Sequence, residues 1–133
     1  LQAAYHREEN SPELAFYNQA KETLALIAEQ NLTIYFDYRL YLPKRETWQI
    51  HTNFEMLTLD YIRQNEFDVL LLLRQRINDY LNPNAVGINP AKFLESQAFY
   101  QAARDGKIEG YQLIYKDETG LIFVIDDLSN TMQ

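Results

Sequence analysis

Phe67-Asp68-Val69-Leu70-Leu71-Leu72-Leu73 is the stretch on which the fold turns. Five aliphatic side chains stand in a row behind an aspartate, and Arg74 closes the run. Its length and lack of alternation favour a strand buried on both faces at the centre of a sheet over a helix. Upstream, Leu32-Thr33-Ile34-Tyr35-Phe36 has the same β-branched and aromatic character and predicts a second buried strand. Trp48-Gln49-Ile50 predicts a short third strand between them in sequence. Downstream, Tyr111–Lys116 and Leu121–Ile125 flank Asp117-Glu118-Thr119-Gly120, a hairpin loop in which Gly120 is expected at positive φ.

Helical signals separate these strands. Ser11-Pro12-Glu13 combines an N-cap hydroxyl, a proline at the first helical position and a first-turn acid. Leu14, Tyr17, Ala20, Leu24 and Ile27 recur at helical spacing, and Asn31 is the expected stop. Thr52 or Asn53 predicts the cap of a second helix with Phe54, Leu57 and Tyr61 on one face. Arg74–Leu81 reads as a further helical stretch ending at the Asn82-Pro83-Asn84 turn. The last predicted helix lies between Asn89-Pro90 and Gly106, burying Phe93, Ala98 or Phe99, and Ala102. The expected fold is α/β: a small three-layer sandwich whose mostly parallel, Rossmann-like sheet ends in an antiparallel hairpin. Residues 1–10 read as a polar lead-in or linker, 11–127 as one domain, and 128–133 as a tail.

Composition narrows the chemistry. The chain has 133 residues, 47% of them hydrophobic, which is enough for a core without disulfide or metal staples. Twelve basic against 19 acidic residues give a net charge of −7, spread over both halves, which disfavours nucleic acid as a partner. The absence of cysteine removes thiol catalysis and Cys-ligated zinc. The longest apolar runs are far short of the ~20 residues of a membrane span. Because the chain opens on Leu1, the expectation is a segment of something longer.

Ligands of open α/β sheets bind at the carboxyl ends of the strands. The turn after the first strand, Asp37-Tyr38-Arg39-Leu40-Tyr41, has no glycine to admit a phosphate, and Gly87, Gly106, Gly110 and Gly120 all come late. No nucleotide cofactor is expected. His6 and His51 lack ligand partners at helical spacing, and no serine lies in a nucleophile elbow, so neither a metal site nor a catalytic set is expected. Asp37 and Asp126-Asp127 follow strands and converge as an acid pair or stand as solvated turn residues. Arg39, Arg74 and Arg76 either line one crevice suited to an anionic group or pair with the surplus acids. Tyr38, Tyr41 and Tyr80 would add stacking and hydroxyls beside them. The candidate crevice is therefore Asp37, Tyr38, Arg39, Tyr41, Arg74 and Arg76.

Ala20–Asn31 followed by Leu32-Thr33-Ile34-Tyr35-Phe36-Asp37-Tyr38 resembles the extramembrane C-terminal domain of GT-C glycosyltransferases, the dolichyl-phosphate-mannose protein mannosyltransferase-like enzymes. Phe67-Asp68-Val69-Leu70-Leu71-Leu72 is similar to their aspartate-led central strand. Phe99-Tyr100-Gln101-Ala102 before Gly106, then Tyr111-Gln112-Leu113-Ile114-Tyr115, is similar to their closing helix and hairpin. The likeness is a pattern of elements over about residues 14–126. It implies a non-catalytic domain on the extracytoplasmic side, since the catalytic acid of that family lies in the membrane portion. The implied partners are that membrane-embedded portion and a glycan or protein acceptor. Two other readings stand beside it: a freestanding binder of a small anionic ligand, and an interaction module using Leu121–Ile125 as an edge strand.

Overall fold

Ser11 caps the first helix through its side-chain oxygen, which accepts the Leu14 N–H at 3.2 Å. That helix, α1 (Pro12–Ala25), opens a computed structural model in which residues 11–37, 44–52, 56–84 and 90–132 are described. It is followed by β1 (Leu32–Phe36), β2 (Trp48–His51), α2 (Leu59–Asn65), β3 (Val69–Leu73) and α3 (Arg74–Leu81). Then come α4 (Pro90–Arg104), β4 (Tyr111–Lys116), β5 (Gly120–Ile125) and α5 (Asp126–Thr131). The lead-in 1–10, together with Asn53, Phe54 and Asn89, lies outside the described residues.

The described strands form one sheet in the order β2-β1-β3-β5-β4, with β3 at its centre. β1 pairs with β2 and β3 in parallel, and β5 pairs with β3 and β4 antiparallel. The sheet is therefore mixed, where the sequence predicts a mostly parallel one. The reason lies in the hairpin. Its second strand, not its first, docks on β3, with Leu73 opposite Gly120 and Val69 opposite Val124. This also corrects the expectation that Leu121–Ile125 is an edge: β5 is interior and its residues 120–124 are buried. The apolar content explains the choice. β5 is Gly-Leu-Ile-Phe-Val-Ile, whereas β4 carries Gln112 and Lys116 and takes the outer position, with a register shift between Leu113 and Tyr115.

Alternation sends successive residues of each strand to opposite faces, and both faces are buried. Ile34, Phe36, Val69, Leu71, Ile122 and Val124 pack with Phe16, Ala20 and Leu24 of α1 and Leu128 of α5. Tyr35, Leu70, Leu72, Leu121 and Phe123 pack on the other side with Ile62, Ile77, Phe99, Tyr100 and Ala103 from α2, α3 and α4. No helix among the described residues is long and apolar enough to cross a membrane.

Several helical details depart from the sequence reading. α1 buries Phe16, Ala20, Thr23 and Leu24, while Leu14 and Tyr17 sit at its half-exposed flank. It ends at Ala25, well before Asn31, and tight turns carry Ile27 and Ala28 onto the core. The second helix starts later than expected: Thr58 is its cap, accepting the Tyr61 N–H at 3.1 Å, and Leu57 is buried ahead of it. α4 buries Ser96, Phe99, Tyr100 and Ala103, leaving Ala98 exposed and Phe93 and Ala102 half-buried. Residues 128–131, read as tail, are the body of α5, with Leu128 and Ser129 buried. Its two acids, Asp126 and Asp127, occupy the first turn, where the helix dipole favours them.

Two glycines are used differently. Gly106 has φ +71° and closes α4 as the sequence predicts: its N–H bonds Ala103 O and the Lys107 N–H bonds Ala102 O, the paired bonds of a Schellman end. Gly120, expected at positive φ, is not there for its backbone conformation. A β-carbon at this position would lie 2.6 Å from Leu72 O and 2.7 Å from the buried Phe16 ring, so the glycine lets the hairpin close against β3 and α1.

Candidate functional site

The carboxyl ends of β1 and β3 lie side by side, because the chain runs from β1 to β2 on one flank and returns to β3 on the other. Open α/β sheets bind their ligands at such a switch point. The residues that end the two strands here are Asp37 and the Leu73–Arg76 turn into α3. Since β3 runs into α3 without a linker, Arg74 and Arg76 sit in the helix's first turn, two residues apart and on different sides.

Asp37 is 1% exposed. Its N–H bonds Leu71 O at 3.0 Å, the last rung of the β1–β3 ladder. Its carboxylate then accepts the Leu73 N–H at 3.1 Å and the Tyr35 hydroxyl at 3.2 Å. Tyr35 reaches it because residues i and i+2 of a strand share a face. Burial pushes the Asp37 carboxyl up to about 6, against the opposing pull of the Leu73 N–H, the Arg76 charge and the Tyr35 hydroxyl. Burial likewise drives Tyr35 above the ordinary tyrosine range, and the Asp37 charge adds to it.

Arg76 spans the site. One end of its guanidinium donates to the Asp37 carbonyl at 2.9 Å and the other to the Tyr80 hydroxyl at 2.7 Å. Burial opposes its charge, but Asp37 and Tyr80 more than offset this, so its pKa is raised. The Tyr80 ring packs on Tyr100 at 5.1 Å, and the Tyr100 hydroxyl accepts the Leu57 N–H at 2.9 Å. Tyr100 is held neutral by burial first and by the Asp37 charge second.

Arg74 does not join them. Its Nε donates to the Asp117 carbonyl and its N–H bonds Thr119 O at 2.9 Å, so it grips the β4–β5 turn. Asp117 in turn accepts the Thr119 and Gly120 N–H groups and the Tyr115 hydroxyl. Of the candidate crevice, then, Asp37 and Arg76 meet, Arg74 turns to the hairpin, and Tyr38, Arg39 and Tyr41 lie outside the described residues. Asp126 and Asp127 do not converge with Asp37. β5 runs antiparallel to β3, so its end lies by Asp68, whose carbonyl accepts the Ile125 N–H at 2.9 Å. His51 packs edge-on against Phe67 at 5.5 Å, and His6 lies outside the described residues. The sequence reading missed Tyr35 and Tyr100. The signal for Tyr35 was its place two residues before Asp37 in a strand rich in β-branched and aromatic side chains.

An open groove of about 360 Å³ adjoins this end, lined by Pro12, Glu13, Leu73, Gln75, Glu118 and Thr119. Among the described residues, its charged side chains are the acids Glu13 and Glu118. Among the described residues no group of three or more His, Asp or Glu side chains is placed to hold a metal ion. Comparison with protein-family models, with curated proteins and with solved structures finds no match to this chain.

Proposed function

We propose that this chain is a non-catalytic α/β domain of a membrane-embedded glycosyltransferase of the dolichyl-phosphate-mannose protein mannosyltransferase-like kind. In this reading it lies on the extracytoplasmic side, bears on the membrane-embedded portion of its parent, and helps to position a glycan or protein acceptor or to stabilise the whole. We read its architecture as a small three-layer, Rossmann-like sandwich whose parallel half is β2-β1-β3, with helices against both faces.

One observation supports this over a freestanding binder of anionic ligands. Among the described residues, the aspartate and arginines at the carboxyl end of the sheet serve the fold: Asp37 joins β1 to β3, Arg76 joins α3 to β1, and Arg74 joins α3 to the hairpin. A domain that captures an anion needs such forks turned outward to the ligand. The adjoining groove instead presents Glu13 and Glu118. An accessory domain requires only a rigid body with a shaped surface. The test is expression of the complete reading frame that encodes this segment, followed by fractionation and protease treatment of sealed vesicles of known orientation. The expected result is an integral membrane protein whose residues 11–132 are digested only from the extracytoplasmic face. Recovery of the whole protein in the soluble fraction overturns the proposal.

A further inference from the structure

The site at the switch point holds three converging features of an anion site: a main-chain N–H, a hydroxyl and a nearby positive charge. These are the Leu73 N–H at 3.1 Å, the Tyr35 hydroxyl at 3.2 Å, and Arg76, anchored 2.9 Å from the Asp37 carbonyl. In open α/β sheets such donors receive part of a ligand. Here they receive a side chain of the chain itself. Asp37 arrives from the last rung of the β1–β3 ladder and puts its carboxylate where the next rung would be. The position is closed to solvent, with Asp37 1% exposed, and Tyr35 and Tyr100 stand fully buried on the same side of the sheet. Removing the Leu73 N–H from water requires an acceptor, and the carboxylate is that acceptor.

We propose that the Asp37 carboxylate is a tethered internal ligand filling the switch-point anion site, so that a chain lacking it binds a small free carboxylate, such as formate, in the same place. In the native domain this position is then closed to free anions, because it is already filled by a carboxylate of high effective concentration. Formate carries the same three heavy atoms as the group deleted in Asp37→Ala, and it brings an acceptor for both donors. The inference holds whichever parent protein carries the domain, so its failure and that of the glycosyltransferase reading are separate results.

Thermal unfolding of the 133-residue chain at pH 7, titrated with sodium formate or with sodium chloride at equal ionic strength, tests this. For Asp37→Ala, formate should raise the midpoint with the logarithm of its concentration, by about 4–6 °C over chloride at ten times its dissociation constant. The native chain and Asp37→Asn, whose amide oxygen fills the same position, should respond alike to the two salts. If Asp37→Ala is unfolded in buffer, the readout becomes recovery of its near-ultraviolet circular dichroism in formate relative to chloride. Equal response of Asp37→Ala to both salts, or no such recovery, overturns the proposal. A formate-specific shift of the native chain or of Asp37→Asn overturns it too, since the anion then binds somewhere else.

Discussion

Two aspartates fasten β1 to β3, one at each end of the pair, and the molecule treats them differently. At the carboxyl end, Asp37 is sealed from water and accepts the Leu73 N–H and the Tyr35 hydroxyl. At the amino end, half-buried Asp68 accepts the Thr33 N–H at 2.8 Å beside a wide groove lined by Arg63, Asn65, Glu66, Glu109 and Gly110. Near it, the Tyr111 hydroxyl donates to Phe67 O and is pushed up to about 12, by burial and then by the Asp68 charge. The same residue type makes the same kind of bond at both ends. What differs is whether water can substitute for it, and that sets how much each end tolerates change.

The largest effect should come from Gly120→Ala, which forces a methyl group to within 2.6 Å of Leu72 O at the carboxyl end. We expect a loss of about 3 kcal/mol, read from denaturant midpoints, because the obstacles are backbone and a buried ring. A loss below about 1 kcal/mol means that this end is looser than the contrast requires. Next comes Asp37→Ala, which leaves the Leu73 N–H without its acceptor and should cost about 2–3 kcal/mol.

The pH dependence of Asp37 sharpens the comparison further. Its folded-state pKa lies near 6, above its ordinary value of 3.8, so the fold binds the proton more tightly than the unfolded chain does. The part of its stabilisation that comes from this shift is therefore full below pH 3.8 and is lost as pH rises through about 6. Against Asp37→Asn, which cannot titrate, the native chain should be relatively more stable at pH 4 than at pH 7. A constant difference across that window removes Asp37 as the source.

At the amino end, Asp68→Ala should cost about 1 kcal/mol, since water can reach the freed Thr33 N–H. A cost equal to that of Asp37→Ala erases the distinction between the ends. The smallest effect has the opposite sign. Glu66 caps α2 at φ +50°, a conformation costly to any residue but glycine, so Glu66→Gly should stabilise by about 0.5–1 kcal/mol. Destabilisation there shows that the Glu66 side chain makes a contribution of its own.

Much of this was legible in the residues. Continuous apolar runs give away β3 and β5, β-branched and aromatic residues give away β1, and the abrupt change at Arg74 marks the start of α3. Patterns that depend on partners were harder. Tyr17 and Phe16 both suit a helix face, and only packing against β5 and Gly120 decides for Phe16. Asp126-Asp127 read as turn acids because a strand end and a helix start ask for the same residues. Asp37 is legible as a candidate but its burial is not, since that depends on Tyr35, Leu73 and Arg76 gathering around it, the last from 39 positions along the chain. Arg74 and Arg76 look equivalent in sequence. The helix sends one to the hairpin and the other to β1.

The inward placement of β5 also bears on how the chain is made. An N-terminal α/β unit can begin to form as soon as β3 leaves the ribosome, since β2, β1 and β3 are then present. The strand that covers the open flank of β3, however, is the second of its hairpin, and β4 reaches the sheet only through it. During the synthesis of more than 40 residues after Leu73, the nascent domain exposes one whole edge of its most apolar strand. Through that interval the uncovered edge of β3 is a template for pairing with another chain.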